Sequence, residues 1–454
     1  MFTDIAFIII WIGLQVLWYY MLKAGGLNLL RLSIPTIVII FFYVFQYLGL
    51  PLLYFKLDKF RVFDVTNQEL ILRVFLYTSV TITLMIVGFV FARFRLGKLY
   101  WEGLQNKSVS TINSSNSKQT FGVLTLVLIC VTVLIFYSLK VGFRRIALFV
   151  ALGLGEDGLS VAAARSLMTN AFPGKHHWYH LFKYALLSFG VFVLFAQYLL
   201  KRTIINKVIL ISATIPLMFS LLMTVEKGPI INFLIAIFFI YVFVKKEGWI
   251  TKRVLTVFSI VLLAIALLIY IFTVEFIENR SILIRVAGFF SRLFTGQIEP
   301  VYHYLEYFPT VRNFLLGRSF PNFGVLPFDQ INLTTELMAW LKPGELSKGV
   351  VGSMPTIYWG EMYANFGALG AFIPPLFIGY GLYALNVIVF RLRSSALSIA
   401  LFVWLMMHFK DLSGTSLSNF ILDIYALSIF IVFIILIAFV NSGKIRLVRN
   451  IKTN

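Results

Sequence analysis

The residues best suited to chemistry lie between Thr273 and Pro355. There Arg280, Arg285, Arg292, Arg312 and Arg318 stand with Lys342 and Lys348 among Glu275, Glu278, Glu299, Glu306, Asp329, Glu336 and Glu345. Glu278, Arg285, Arg292 and Glu299 recur every seven residues, which puts them on one polar stripe if the segment is helical. Ile282, Ile284, Val286, Phe289, Phe290 and Leu293 supply the apolar surface around it. The stripe has two readings. Opposite charges can neutralise one another on a helix lying at a membrane surface. Alternatively, Arg280, Arg285 and Arg292 grip a diphosphate, because a guanidinium offers paired donors to phosphate oxygens and keeps its charge at any relevant pH.

Two shorter stretches add candidates. Thr224-Val225-Glu226-Lys227-Gly228-Pro229 reads as a tight turn between apolar runs, with the proline in the first turn of the second helix. Lys227 and a helix N-terminus would then both attract anions at the membrane boundary; the plainer alternative is a snorkelling lysine paired with Glu226. Gly352 to Gly370 returns the polar segment to an apolar run, with Glu361, Tyr363 and Asn365 near its start. A carboxylate there is costly unless partnered, so Glu361 is a candidate for orienting or deprotonating an acceptor, or for holding an arginine. Arg144, Arg145 and Arg165, in a second polar segment over 140–177, are auxiliary candidates for phosphate or sugar contacts. His176 and His180 stand at i and i+4, but no carboxylate or cysteine follows at ligand spacing, and Trp178-Tyr179 reads as an interfacial belt. The P-loop, the Rossmann fingerprint and His-Glu-x-x-His are all missing from the sequence, and no metal or cofactor is expected.

These residues must be held by membrane helices. Of the 454 residues 60% are hydrophobic and 13% charged, with a mean hydropathy of +0.90. A soluble domain carries about 25% charged residues, so the composition predicts an all-α polytopic membrane protein. Apolar runs long enough to span fall at about 4–22, 33–55, 70–92, 120–139, 178–200, 205–224, 229–244, 254–272, 363–390, 396–410 and 420–440. Pro35, Pro51, Pro216 and Pro374-Pro375 should kink or start their helices. The expected architecture is one integral membrane domain over 1–454, with about eleven spans and short helices on its longest polar loop. Met1-Phe2-Thr3-Asp4 carries no basic charge, so the first run is expected to be a retained span. The single cysteine, Cys130, leaves no intrachain disulfide.

Charge sets the expected orientation. Alternate connections, starting with Lys23 and Arg31 and ending with Lys444, Arg446, Arg449 and Lys452, hold 20 of the 39 basic residues and 2 of the 19 acids. Nearly all of the net +20 therefore lies on one side, which the positive-inside rule makes the cytoplasm. The N-terminus is then outside, the C-terminus inside, and the loops 140–177 and 273–355 extracytoplasmic. A charge explained by topology removes nucleic acid from the expected partners.

Lys227-Gly228-Pro229, Leu316-Gly317-Arg318-Ser319 and Gly360-Glu361-Met362-Tyr363-Ala364-Asn365-Phe366-Gly367, on this many-span layout, resemble the Wzy-type O-antigen polymerases, which belong to a wider group with the O-antigen ligases. Lysine stands at 227 where arginine is usual, and the histidine that related ligases carry near the loop's return is absent, which leaves the general base unassigned. The resemblance implies glycosyl transfer on the outer face of a bacterial inner membrane. The donor would be a glycan on undecaprenyl diphosphate and the acceptor a lipid-linked repeat unit, with a chain-length regulator and a flippase as pathway partners. Arg280, Arg285, Arg292 and Glu361 would be catalytic. Lys227, Arg318, Tyr363, Asn365, Arg144, Arg145 and Arg165 would bind substrate. The alternatives are a ligase or another lipid-linked glycosyltransferase, and a flippase or transporter. Transporters place charge near the midplane and show repeated halves, neither of which is visible here.

Overall fold

The computed structural model describes residues 2–61, 63–97, 117–172, 176–275, 281–322, 324, 327–346, 353–392, 395–421 and 423–441. In chain order its main helices are α1 (Asp4–Ala24), α2 (Ile34–Tyr54), α3 (Gln68–Leu96), α4 (Ser117–Val141), α5 (Val161–Asn170), α6 (His177–Leu200), α7 (Ile204–Leu222) and α8 (Lys227–Lys246). They continue with α9 (Lys252–Ile271), α10 (Ile282–Phe294), α11 (Glu299–Tyr307), α12 (Leu333–Leu341), α13 (Tyr358–Arg391), α14 (Ala396–Ser413) and α15 (Leu417–Val440). Eleven of these, all but α5, α10, α11 and α12, are long and apolar enough to cross a membrane. No strand occurs among the described residues. The chain is an all-α polytopic membrane protein.

Helix starts follow local chemistry. Ser33 accepts from the Thr36 amide at 3.1 Å, with Pro35 in the first turn of α2, where its missing N–H costs nothing. Asn67 caps α3 by accepting from the Glu69 and Leu70 amides. Pro216 and the Pro374-Pro375 pair lie inside helices, but α13 leaves helical geometry earlier, at Gly367 (φ 64°, ψ −147°), a conformation that only glycine adopts readily.

The contacts divide the chain into two compact units. Unit 1 holds Met1–Glu102, Ile282–Ile388 and His408–Asp423. Its helices α3 and α13 meet where a Cβ at Gly88 would stand 2.3 Å from the Leu376 carbonyl and one at Gly379 2.1 Å from that of Met85. Backbones brought this close give membrane helices their packing contact. Unit 2 holds Gly103–Ser281, Val389–Met407 and Ile424–Asn454. Within it α6 is 67% buried along its apolar stretch against 6% for α9, so α9 is left facing lipid.

The seven-residue stripe does not survive as one helix. α10 ends at Phe294, and Glu299 opens α11 after a turn, so it does not share a helix face with Arg285 and Arg292. The amides of Thr295 and Gly296 both bond the Ser291 carbonyl, at 2.8 and 3.0 Å, closing the last turn, and the Thr295 hydroxyl meets the Asp58 carboxylate.

Candidate functional site

The break at Gly367 opens the site. Just before it, the carbonyls of Ala364 and Asn365 accept from the amides of Leu315 and Leu316, both at 3.0 Å. The turn thus docked is Leu316-Gly317-Arg318-Ser319, so two of the stretches singled out in the sequence meet. Asn365, fully buried, closes the joint. Its Oδ1 accepts from Gly317 N at 2.9 Å, and its Nδ2 donates to Ser319 Oγ at 2.7 Å and to the Glu361 carbonyl at 2.9 Å. Ser319 Oγ in turn donates to Glu361 Oε1 at 2.9 Å, while Glu361 Oε2 accepts from Ser418 N at 2.8 Å. Both carboxylate oxygens are therefore occupied inside the protein. Arg318 projects from this joint and is exposed. Leu316 takes φ 52°, a left-handed conformation costly for a branched residue.

Tyr363 is also turned inward: its hydroxyl donates to the Phe308 carbonyl at 3.3 Å and its ring packs edge-on against Tyr77 and Phe314. Tyr363 and Asn365 hold the site's walls together.

α10 buries one of its two arginines and exposes apolar side chains. Arg285 is 7% exposed, whereas Ile282 and Leu283 are 65% and 81% exposed, the arrangement of a helix whose outer face meets lipid. Arg292, near its C-terminal end, is exposed. Arg280 and Glu278 lie outside the described residues. The connection between α2 and α3 straps this region. Asp58 accepts from Ser291 Oγ at 2.7 Å and from the Thr295 hydroxyl, Glu299 accepts from the Phe63 amide, and the Asn67 amide donates to the Tyr302 hydroxyl at 3.1 Å. Burial pushes the Glu299 carboxyl up to about 7, against the opposing effects of the Phe63 amide and the Arg61 guanidinium. Arg292 and Asp58 also act on it. Arg312 and Tyr307 both bond Glu336, fixing α11 to α12. Gln46 of α2 reaches the carbonyls of Ser413 and Gln297 at 2.6 and 3.1 Å, supporting the turn between α10 and α11.

In unit 2 the Thr224-Val225-Glu226-Lys227 turn is held from outside. Arg165 of α5 donates to the carbonyls of Thr224 and Val225 at 2.6 and 2.7 Å, and Val225 sits at φ 56°. Lys227 opens α8, with its Nζ 3.8 Å from the centre of the Tyr270 ring. Arg145 is paired with Glu156 at 2.6 Å, an exposed pair that holds the Glu156 carboxyl below the usual carboxylate range. Arg144 donates to the Gly155 carbonyl at 3.2 Å. Arg165 therefore shapes the turn that carries Lys227. His177 lies 3.4 Å from the Tyr425 hydroxyl, and His180 packs against Tyr184. Among the described residues no three His, Cys, Asp or Glu side chains gather as a metal site.

Sequence reasoning passed over Ser418, Asp58, Gln46 and His303. The polar run Asp411–Asn419 between two apolar stretches, and Asp58 and Arg61 in a short connection, were the available signals. No family model, curated protein or solved structure matches the chain.

Proposed function

We propose that this protein polymerises undecaprenyl-diphosphate-linked oligosaccharide repeat units into O-antigen or a related surface polysaccharide. It would do so by glycosyl transfer on the outer face of a bacterial inner membrane, with a flippase supplying its substrate and a chain-length regulator acting on its product. The observation that carries the reading is the joint in unit 1. Two of the three stretches on which the resemblance rests are bonded through Asn365, Ser319 and Glu361, and the turn so fixed carries the exposed Arg318. An exposed cation on a turn held by buried hydrogen bonds suits a lipid diphosphate.

The chemistry follows from the leaving group. As the acceptor hydroxyl attacks the anomeric carbon, the bond to the diphosphate oxygen breaks and negative charge grows on that oxygen. Arg292 and Arg318 stabilise this charge from fixed positions, which lowers the barrier more than cations that must reorganise. Arg280, given the same role by the resemblance, lies outside the described residues. Arg285, on the buried face of α10, anchors the helix that presents Arg292. Lys227 at the N-terminus of α8 offers a second cationic seat for a lipid phosphate, and Arg165 positions its turn. Glu361 holds the Arg318 turn.

A deletion strain tests the reading. Surface glycan reduced to a single capped repeat unit supports a polymerase. Complete loss of surface glycan would instead indicate a ligase or a flippase, and the polymerase assignment would fall.

A further inference from the structure

The mechanism above has no group to take the acceptor's proton, and α11 holds one. His303 lies on this helix and is 3% exposed. Its Nδ1 is 3.0 Å from Glu306 Oε2, a contact in which the carboxylate accepts and the ring nitrogen donates. That fixes the tautomer and leaves Nε2 as the acceptor. Nε2 is buried and has no hydrogen-bond partner. A buried ring nitrogen without a partner is destabilising, and such groups persist where a ligand completes them. Burial holds the His303 pKa below the usual histidine range, with Glu306 and Asp64 acting in the opposite sense, so the ring stays neutral at pH 7 and can accept a proton. The half-exposed Phe63 ring packs edge-to-face on the imidazole at 5.6 Å, with Lys342 on that ring at 4.9 Å. Glu299, one turn earlier on α11, accepts from the amide of the same Phe63 and lies within the field of Arg292. The imidazole is thus about one helical turn, ~6 Å, from a carboxyl flanked by a proposed diphosphate-binding arginine.

We propose that His303, oriented by Glu306, is the general base of the glycosyl transfer. As the acceptor's hydroxyl oxygen forms its bond to the anomeric carbon, its proton passes to Nε2. The bond from that carbon to the diphosphate oxygen breaks, and the electron pair leaves with the lipid diphosphate. The imidazolium then returns its proton to water. His303 is the catalytic residue and Glu306 a positioning residue. This inference rests on the polymerase reading.

The test uses the full chain in nanodiscs with purified lipid-linked repeat units, following polymer length and the pH dependence of turnover. His303→Gln should lose about 10²-fold or more in kcat with little change in KM, and the acid limb of the pH–rate profile should disappear. Added imidazole should restore part of the activity of His303→Ala. Glu306→Gln keeps the ring but removes a charge that favours imidazolium, so its acid limb should move to lower pH. That shift decides the matter if the His303 variants fold poorly. A His303→Gln enzyme within threefold of wild type would overturn the assignment while leaving the polymerase reading intact. So would an unmoved acid limb in Glu306→Gln. A wild-type protein that makes no polymer would overturn the polymerase reading, and the base role with it.

Discussion

Glu361→Gln separates holding from proton transfer at the joint of unit 1. Glu361 Oε1 accepts from Ser319 and Oε2 from the Ser418 amide. A hydrogen bond to a charged acceptor contributes about 1.5–3 kcal/mol and a neutral one about 0.5–1.5, so two such losses weaken the joint by about 2 kcal/mol. Glutamine keeps the geometry: its Oε1 can accept from Ser418 N and its amide can donate to Ser319 Oγ. Glu361→Ala removes both acceptors and leaves the Ser319 hydroxyl and the Ser418 amide without them, a cost of about 1–3 kcal/mol each. A loss of about 3 kcal/mol raises the locally open population roughly 100-fold. The exposed Arg318 reports that opening, because trypsin cuts after it once the turn loosens. Purified variants in nanodiscs should therefore diverge. The glutamine enzyme should turn over within about fivefold of wild type, and the alanine enzyme should lose activity as cleavage at Arg318 accelerates roughly 100-fold. A glutamine variant that binds substrate and resists trypsin, yet loses about 10²-fold in turnover, would make Glu361 the proton acceptor and refute the holding role.

Further outcomes follow from the same geometry. Arg292→Ala and Arg318→Ala should abolish polymerisation at normal membrane levels, and lysine at either site should rescue only in part because it loses the guanidinium fork; full rescue by lysine would argue against bidentate phosphate binding. Glu299, raised from 4.5 to about 7, keeps a proton in the folded state that the unfolded chain releases across that window. Its contribution is therefore fully present below 4.5 and falls by about 3 kcal/mol as pH rises through 7. Thermal unfolding of wild type compared with Glu299→Gln should show this slope only in wild type. Val225→Gly should leave the Tm unchanged or higher, by relieving a left-handed valine; a clear drop would show that the side chain's packing outweighs the strain. Reporter fusions after Lys118 and Lys252 should read cytoplasmic and one near Asp329 extracytoplasmic, and an inverted pattern would move the proposed chemistry to the wrong face.

The spans were legible because hydropathy and length suffice to find them. Their ends were not. The run expected at 70–92 forms a helix over Gln68–Leu96, since the Asn67 cap adds a polar first turn and Arg93 and Arg95 complete the last. The site was legible in pieces. Glycine, proline and charge marked the stretches around Lys227, Arg318 and Glu361, but not that Ser319 and Ser418 would take both oxygens of Glu361. Those bonds join residues 42 and 57 positions apart, and no local spacing encodes them. The seven-residue arithmetic failed for a related reason. It assumed one continuous helix, whereas α10 closes at Phe294, and Asp58, 237 positions before Thr295, holds the turn that follows.

The strain in the two turns says where positional accuracy matters. Val225 and Leu316 both adopt left-handed backbone, and they lie in the turns that carry Lys227 and Arg318. A non-glycine residue in that region costs of order 1–3 kcal/mol and persists only where the surroundings over-determine it. Each surrounding is visible here. Arg165 grips the carbonyls of Thr224 and Val225, and the Leu316 amide bonds the Asn365 carbonyl beside the Gly367 break. A loop that merely connected two helices would relax such conformations by taking glycine or asparagine. Turns that keep the strain, and that are tied by charged or fully buried side chains, hold the residues that follow against thermal motion. In both units a cation stands two positions on, Lys227 and Arg318. A phosphate-binding cation gains from being fixed, because a transition state is stabilised most by charge that does not have to move into place.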